Sequence, residues 1–326
     1  MTDLAGGDSR ELAGQVAIIT GAGRGIGRAD ALLLARRGAA VVVNDIGAAV
    51  TGEGTDQSVT EAVVEEIVAG GGRAVANSGD VSTAAGGQSA VDAALEAFGR
   101  VDILVHNAGV LRKNWFGELA LEDVAAVLDT HLLGAFHVGQ PAWREMRRRG
   151  YGRMVLTTSV AMFGAPQLSA YAAAKAGVVG LVRTLALEAS DADVDIKVNA
   201  ISPTAATRGA GWSHRSDQAA ASLDSAVGGG GSPDNVAAVT ALLVSPGCPV
   251  TGTCVRAGGS HVARIYTGIS PGWTPGDQLL TTDEVAGHFQ EVMLLPGEES
   301  LILPASSADA RRITVERVRA ASTGAH

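Results

Sequence analysis

The chain has 326 residues, a formal net charge of −9 and 46% hydrophobic residues, enough to bury a sizeable core in one large α/β domain or two smaller ones. The negative charge and the lack of a basic stripe with interleaved aromatics argue against a nucleic-acid partner. Two cysteines and no histidines at metal-ligand spacing argue against a disulfide framework or a metal site.

The first fifteen residues lack the basic start and apolar run of a secretory signal. No apolar run approaches the roughly 18 residues that a membrane span needs. We therefore expect a soluble, cytoplasmic protein with no membrane partner.

From residue 14 onward, short β-branched segments alternate with longer helical patterns. Continuous apolar strands joined by helices of about ten or more residues predict a parallel sheet covered on both faces. Right-handed crossovers make it an α/β, doubly wound parallel sheet of the Rossmann type. The predicted strands are QVAIIT (15–20), AAVVVND (39–45), RAVANSGDV (73–81), VDILVHNAG (101–109), YGRMVLTTS (151–159), DIKVNAIS (195–202) and, as the last, CVRAGGS (254–260).

The alternation predicts a single domain, residues 12–262, with a C-terminal extension, residues 263–326. After residue 261 turn residues predominate, and one capped helix is predicted in TTDEVAGHFQ (281–290). We expect the end of the extension to be flexible.

A glycine-rich turn, TGAGRGIG, joins the first strand to the first helix. Gly21 allows a tight turn, Gly25 lets the backbone approach a pyrophosphate, and Gly27 permits close packing of the helix on the strand. The free N–H groups of the helix N-terminus can bind phosphates. A plain tight turn is the alternative, but the position after the first strand favours dinucleotide binding, with Arg24 and Ile26 contributing.

The second strand ends at Asp45, 18 residues after Gly27. A carboxylate there can accept hydrogen bonds from both ribose hydroxyls of the adenosine. It also repels a 2′-phosphate, by about 4 kcal/mol per pair of charges about 4 Å apart at an effective dielectric near 20. The sequence therefore predicts NAD rather than NADP. Arg24 complicates this because its charge could offset the repulsion, and a solvated turn aspartate is the alternative interpretation.

Five motifs follow one another in an order and spacing that resembles the short-chain dehydrogenase/reductase family. Within that family the chain looks most like the D-specific hydroxyacyl-CoA dehydrogenase part of the peroxisomal multifunctional enzyme and its bacterial relatives. The resemblance covers residues 12–262 and implies an NAD-dependent oxidoreductase that interconverts a secondary alcohol and a ketone by hydride transfer. The motifs are TGAGRGIG, GDV (79–81), NAG (107–109), YAAAK (171–175) and NAISP (199–203).

The same resemblance implies further cofactor contacts. Asp80 and Val81 would flank the adenine, Asn107 would support the cofactor at the fourth strand, and Thr207 would lie near the nicotinamide carboxamide. The segment SPTAAT departs from the family, which has a glycine after the proline.

Tyr171 and Lys175 are four residues apart and share one face of a helix. A lysine ammonium and the positive nicotinamide are expected to lower the tyrosine pKa, since about 4 kcal/mol corresponds to about three pKa units. By the resemblance, Tyr171 removes the hydroxyl proton and Lys175 also binds the nicotinamide ribose. A tyrosine and a lysine on an ordinary amphipathic helix are the alternative.

The hydroxyl that polarises the substrate oxygen has two candidates. In the family it precedes the tyrosine by thirteen positions, which lands on Thr158, whereas counting seven forward from Gly152 lands on Ser159. Relative to the family, one residue is therefore missing between Arg153 and Gly164. A loss inside a buried strand would flip the side chains beyond it, whereas a loss in the following loop costs little. We therefore predict Ser159, with Thr158 as the alternate.

His131 stands where the family has an asparagine. By the resemblance that residue belongs to a proton relay running through a water to the lysine, and histidine can still donate and accept. A structural role for His131 is the alternative.

The substrate implied is a 3-hydroxyacyl thioester, and a cyclic or polyketide-like alcohol or ketone is the alternative. The remote alternative is a non-catalytic dinucleotide-binding subunit. Coenzyme A phosphates would need cations, for which Arg112, Lys113, Arg208 and Arg215 are candidates. Because relatives are dimers or tetramers and the helix after Tyr171 is Ala-rich, we expect a homodimer or homotetramer.

Overall fold

The computed structural model describes residues 10–205, 231–258, 261–270, 272–274, 280–293 and 316. The chain divides into two compact units, Met1–Arg264 and Ile265–His326.

One eight-stranded sheet runs in the order β3-β2-β1-β4-β5-β6-β7-β8. Neighbouring strands from β3 to β7 pair in parallel, and β1 and β2 are buried along their whole length. This confirms the predicted doubly wound parallel sheet. The strands are β1 Val16–Thr20, β2 Ala40–Asn44, β3 Arg73–Asn77, β4 Ile103–His106, β5 Tyr151–Thr157, β6 Asp195–Thr204, β7 Cys254–Gly258 and β8 His261–Ile265.

The prediction that CVRAGGS holds the last strand is wrong, because β8 follows it at the edge of the sheet. All five residues of β8 are exposed or only partly buried. An edge strand of this kind carries polar residues and lacks the continuous apolar run that marks the inner strands.

Helices cover the sheet and connect its strands. The first unit contains α1 Gly25–Arg36, α2 Ser58–Ala69, α3 Ala84–Phe98, α4 Leu121–Leu128, α5 Gly134–Arg149, α6 Ser169–Asp191 and α7 Pro233–Val244. Two shorter segments matter for the site: a π-helical turn, Asp129–Leu133, and a 3₁₀ turn, Val160–Phe163. The Ser232 side chain caps α7 by accepting from the Asp234 N–H at 3.2 Å.

In the second unit, α8 spans Thr282–Met293. Its start is a capping box, in which Thr281 Oγ1 accepts from the Glu284 N–H and Glu284 Oε2 accepts from the Thr281 N–H. The capped helix in the extension is therefore present where the sequence predicts it.

Among the described residues, α6 is a helix long and apolar enough to cross a membrane by length and composition. It packs on β5 and β6, and one row of its residues, including Ala174, Val178 and Val182, is buried. In the structure 33% of its apolar window is buried, so packing over the sheet accounts for only part of that apolar character. The expectation that no apolar run approaches the length of a membrane span is therefore wrong for α6.

Because β1 lies between β2 and β4, the connections after β1 and β4 diverge from one point of the sheet. Doubly wound sheets bind ligands in the crevice at the carboxyl ends of the strands at such a point. The fold therefore places the candidate site there.

Candidate active site

A cavity of about 890 Å³ lies at the carboxyl ends of the central strands. It brings together predicted site residues from seven different segments of the chain. Those lining it are Gly21, Arg24, Gly25, Ile26, Asp45, Asp80, Val81, Asn107, His131, Ser159, Tyr171 and Lys175.

Gly27 and Thr158 are among the described residues but do not line the cavity. A Cβ atom at Gly27 would lie 2.2 Å from the carbonyl oxygen of Gly21, so Gly27 is needed for the close packing of α1 beneath the turn. Thr158 is completely buried outside the cavity. Thr207 lies outside the described residues.

The glycine-rich turn presents an uncapped helix N-terminus to the cavity. Arg24, the residue before α1, makes no side-chain capping hydrogen bond, and the first turn of α1 holds no acidic side chain. Gly21 has φ 65°, and a Cβ there would lie 2.8 Å from the Cα of Ala108. The free N–H groups at the start of α1 suit a pyrophosphate.

Asp45 is held in a fixed orientation at the end of β2. Its Oδ2 accepts from the Gly23 N–H at 3.0 Å and its Oδ1 from the Gly47 N–H at 2.7 Å. The Arg24 guanidinium lies 3.9 Å from Asp56 and 3.4 Å from the carbonyl oxygens of both Gly47 and Ala48. The charge of Arg24 is thus shared with Asp56, which reduces its capacity to offset Asp45.

A buried hydrogen-bond network shapes the turn after β4. Thr20 Oγ1 accepts from the N–H groups of Asn107 and Ala108, each at 3.1 Å, and lies 3.0 Å from His106 Nδ1. A threonine hydroxyl has two lone pairs and one proton, so Thr20 donates to Nδ1 and His106 carries its own proton on Nε2. Burial lowers the pKa of His106 to about 3, so the ring is neutral.

Tyr171 and Lys175 lie on the face of α6 that meets the cavity. Lys175 Nζ donates to the carbonyl oxygen of Thr157 at 2.6 Å and lies 5.6 Å from the centroid of the Tyr171 ring. Burial lowers the pKa of Lys175 to about 7.

Burial raises the pKa of Tyr171, and a hydrogen bond with Ser159 offsets this only in part. In the protein alone, this shift of the Tyr171 pKa is opposite to the lowering that the sequence predicts. The cause is desolvation of the phenolate, which the spacing of Tyr171 and Lys175 in the sequence does not reveal.

Ser159 and Thr158 face different surroundings. Ser159 lines the cavity, where its Oγ accepts from the Ala161 N–H at 3.2 Å and starts the 3₁₀ turn. The Thr158 hydroxyl donates to the carbonyl oxygen of Lys175 at 2.6 Å. Only Ser159 therefore presents its hydroxyl beside Tyr171.

His131 is buried in the π-helical turn, with its ring 5.0 Å from that of Tyr171 in an edge-to-face arrangement. Its Nε2 lies 2.7 Å from the Val110 carbonyl oxygen and 3.1 Å from the Val110 N–H. The shorter distance favours donation from Nε2, which leaves Nδ1 as an acceptor. Nδ1 is buried and has no hydrogen-bond partner among the described residues. Burial holds the pKa of His131 well below its ordinary value.

The sequence missed several groups of cavity residues, among them the long loop after β2. Ala48, Ala49, Val50 and Gly52 line the cavity. Loops between a strand and a helix of a parallel sheet are usually about 2–6 residues long, so the length of this one was the available signal.

The arrangement defines a class of protein: a dinucleotide-binding oxidoreductase with a tyrosine, a lysine and a hydroxyl at one end of its cleft. The uncapped start of α1, the Asp45 carboxylate and the buried Lys175 ammonium fit the pyrophosphate and the two ribose groups of a nicotinamide dinucleotide.

Comparison with known proteins supports the same class of protein. The profile of the short chain dehydrogenase family matches residues 15–219. A short-chain type dehydrogenase/reductase of Mycobacterium tuberculosis is 39% identical over 284 residues, which are 87% of this chain and 95% of that protein. A 3-oxoacyl-[acyl-carrier-protein] reductase of Synechocystis is 40% identical over 193 residues, 59% of this chain and 74% of that enzyme.

Peroxisomal multifunctional enzyme type 2 of Drosophila melanogaster is 44% identical over 196 residues, 60% of this chain. The match spans only 32% of that longer enzyme. Its full-length structure superposes with a TM-score of 0.74 at 28% identity, covering 96% of this chain and 51% of that one.

The chain belongs to the short-chain dehydrogenase/reductase family. It is an oxidoreductase of the kind that interconverts secondary alcohols and ketones, in a family that uses nicotinamide dinucleotides. The resemblance read from the motifs is thereby confirmed.

Proposed function

We propose that this protein is an NAD-dependent dehydrogenase/reductase that interconverts a 3-hydroxyacyl thioester and its 3-oxo counterpart. One observation carries the catalytic part of the proposal: Ser159, Tyr171, Lys175 and His131 converge on the cavity that Asp45 and the glycine-rich turn line at its other end. A protein that only binds dinucleotides has no need of that convergence.

A bound nicotinamide dinucleotide supplies the hydride acceptor or donor. Gly21, Arg24, Gly25 and Ile26 would hold its pyrophosphate, and Asp45 its adenosine ribose. Asp80, Val81 and Asn107 line the same cavity, and we expect them to contact the adenine and the middle of the cofactor. Thr207 stays a sequence-based proposal for the carboxamide.

Tyr171 transfers the proton in this proposal. Because burial raises its pKa, the free protein holds the neutral phenol that is needed to protonate a ketone oxygen. In the oxidative direction Tyr171 takes the proton from the substrate hydroxyl. The Lys175 ammonium favours the phenolate at that stage.

Ser159 orients the substrate oxygen toward Tyr171 by donating a hydrogen bond. His131 packs against the Tyr171 ring and offers Nδ1 as an acceptor for a proton relay. Lys175 is fixed by the Thr157 carbonyl, so its ammonium keeps one position during the proton transfer.

The Asp45 carboxylate supports NAD over NADP. Its two backbone hydrogen bonds hold the negative charge where a 2′-phosphate would lie. Arg24, the one nearby cation in the glycine turn, already faces Asp56.

The thioester part rests on the relatives, one of which is named for 3-oxoacyl groups carried by acyl-carrier protein. Of the four proposed coenzyme A cations, Arg112 is paired with Glu53 and Asp123, each at 3.2 Å. Arg208 and Arg215 lie outside the described residues. The name of that relative makes an acyl-carrier protein a second candidate carrier beside coenzyme A.

A substrate panel tests the proposal. 3-Hydroxyacyl-CoA esters of several chain lengths and a set of cyclic secondary alcohols are incubated with NAD or NADP, and the formation of reduced cofactor is followed by absorbance. We expect turnover of the thioesters with NAD. Turnover of cyclic alcohols alone would instead support the polyketide-like alternative, and faster turnover with NADP would reject the role of Asp45.

A further inference from the structure

Residues 46–56, after β2, form a hairpin that we call the cleft hairpin. It is closed by backbone hydrogen bonds from the Asp56 N–H to the Ile46 carbonyl at 3.0 Å and from the Ala49 N–H to the Glu53 carbonyl at 2.9 Å. Gly47 and Gly54, near its two ends, have φ 74° and 79°, which favours glycine. The internal bonds hold the cleft hairpin together as one unit between these two glycines.

The tip of the cleft hairpin touches the loop that follows β4. The Leu111 N–H donates to the Val50 carbonyl at 3.0 Å. A Cβ at Gly52 would lie 2.9 Å from Val110 Cγ1, and Arg112 pairs with Glu53 at 3.2 Å. Two loops more than fifty residues apart in the chain therefore meet.

The order of the strands shows what lies between these two loops. β1 stands between β2 and β4, so a connection from the end of β2 to the end of β4 crosses the end of β1. The glycine-rich turn follows β1, and its Arg24 contacts the Gly47 and Ala48 carbonyls of the cleft hairpin. Residues of the cleft hairpin, of the turn and of the β4 loop all line the same cavity.

A dinucleotide that reaches from Asp45 to Lys175 has to pass the start of α1, beneath the cleft hairpin. We propose that the cleft hairpin is a gate across the cofactor cleft, and that its contacts with Val110, Leu111 and Arg112 must break each time the cofactor enters or leaves. The proposal rests on dinucleotide binding in this cleft. It assigns to the ion pair of Glu53 and Arg112 control over the rate at which the cofactor enters and leaves the cleft.

The contacts that hold the gate shut are suited to repeated opening. They comprise one backbone hydrogen bond, one apolar contact and an ion pair in which the Glu53 side chain is 75% exposed. Opening keeps the internal hydrogen bonds of the cleft hairpin. Because the gate acts on entry and exit alike, it changes both rate constants by one factor and leaves the Kd unchanged.

A reversible lock tests the gate. A Cβ at Gly52 would lie 3.5 Å from Val110 Cβ, within the range of about 3.5–4.5 Å for disulfides. The variant carrying Gly52→Cys and Val110→Cys is examined by stopped-flow fluorescence of NADH, oxidised and then reduced. We expect the oxidised form to bind and release NADH at least tenfold more slowly than the same protein after reduction. The two single-cysteine variants measure the effect of oxidant and of the left-handed backbone at Gly52.

A second variant needs no disulfide. Glu53→Gln removes the cross-cleft ion pair and leaves the pair of Arg112 with Asp123. We expect association and dissociation of NADH to accelerate together by about 1.5- to 5-fold, the range for an exposed pair. Glu66→Gln, which removes the exposed pair of Arg28 and Glu66, is the matched control and should leave both rates unchanged.

The outcomes separate this proposal from the proposed function. The gate alone is overturned if the wild-type protein binds NADH and the oxidised double variant exchanges NADH as fast as the same variant after chemical reduction. If the disulfide does not form, unchanged rates in Glu53→Gln overturn it. Failure of the wild-type protein to bind either NADH or NADPH overturns both proposals.

Discussion

Thr158 and Ser159 are adjacent in the chain, but their hydroxyls lie on opposite sides of the end of β5. Thr158 Oγ1 donates to the carbonyl oxygen of Lys175 at 2.6 Å, whereas Ser159 lines the cavity, where its hydroxyl acts to lower the pKa of Tyr171. Thr158 thus fixes the backbone of α6, and Ser159 is the hydroxyl that faces the cavity.

This relationship predicts different outcomes for two single variants. Ser159→Ala should lower kcat by about 10²–10³, the loss on removing one donor to a reacting oxygen, because nothing else described at that position polarises the substrate. Thr158→Val keeps the shape and removes a buried hydrogen bond, so it should cost about 1 kcal/mol of unfolding free energy with little change in kcat. Steady-state kinetics and urea unfolding of both variants make the comparison. A crippled Thr158→Val beside a healthy Ser159→Ala would reverse the assignment.

Asp45 should determine the cofactor preference. Asp45→Ala removes the carboxylate that accepts from Gly23 and Gly47, so NAD affinity should fall by roughly tenfold, equivalent to about 1.4 kcal/mol. The preference over NADP should narrow at the same time, because the repulsion of the 2′-phosphate is gone. Fluorescence titrations with NADH and NADPH measure both effects. Asp80→Ala, in the same cavity, is the control and should weaken both cofactors alike.

Asp30 predicts a dependence of stability on pH that is separate from catalysis. It is 1% exposed on α1, and its Oδ1 has no hydrogen-bond partner among the described residues. Burial raises its pKa to about 8, opposed by a hydrogen bond with Thr240 on α7. The folded state therefore retains a proton that the unfolded chain releases above about pH 4, so stability decreases as the pH rises from about 4 to about 8.

Asp30→Asn should remove this loss. The variant should gain on the wild type by up to about 1.4 kcal/mol per pH unit between pH 5 and pH 8. Urea unfolding at three pH values measures the gain, and Asp195→Asn, at a half-exposed aspartate, is the comparison. If the difference in unfolding free energy between Asp30→Asn and the wild type stays constant across this pH range, Asp30 does not retain a proton in the folded state.

Association should occur through helices that expose apolar side chains. Leu121 on α4 is 80% exposed, and Phe136 on α5 and Leu187 on α6 are about 40% exposed. A homodimer or homotetramer of closed symmetry would cover such faces. Light scattering at micromolar concentration should give a multiple of the 32.9 kDa chain mass. A monomer mass would reject the expectation.

The sequence predicts the inner sheet well because buried parallel strands need continuous apolar runs, as in Val16–Thr20 and Ala40–Asn44. The same topology brings the loops after the strands together, and Asp45, Asn107 and Ser159 line one cavity. Of these, Asn107 and Ser159 were assigned to the site from the family resemblance. The edge strand β8 was missed because one-sided burial weakens that signal.

Two properties of the site depend on tertiary contacts. The pKa of Tyr171 moves upward because its surroundings exclude water, and no spacing in the sequence records that exclusion. The cleft hairpin acquires its role from Val110, Leu111 and Arg112, which are distant in the chain. Local patterns predict where a loop begins and not what it touches.

The central claim is that Tyr171 performs the proton transfer in this cleft, and one variant tests it most directly. Tyr171→Phe removes the phenolic oxygen and keeps the ring against His131. Turnover of the best substrate from the panel should fall by about 10²–10⁴, the contribution of a positioned acid–base group, while NADH titration by fluorescence stays close to wild type. Tyr171→Phe that turns over at the wild-type rate with unaltered NADH binding would contradict the account.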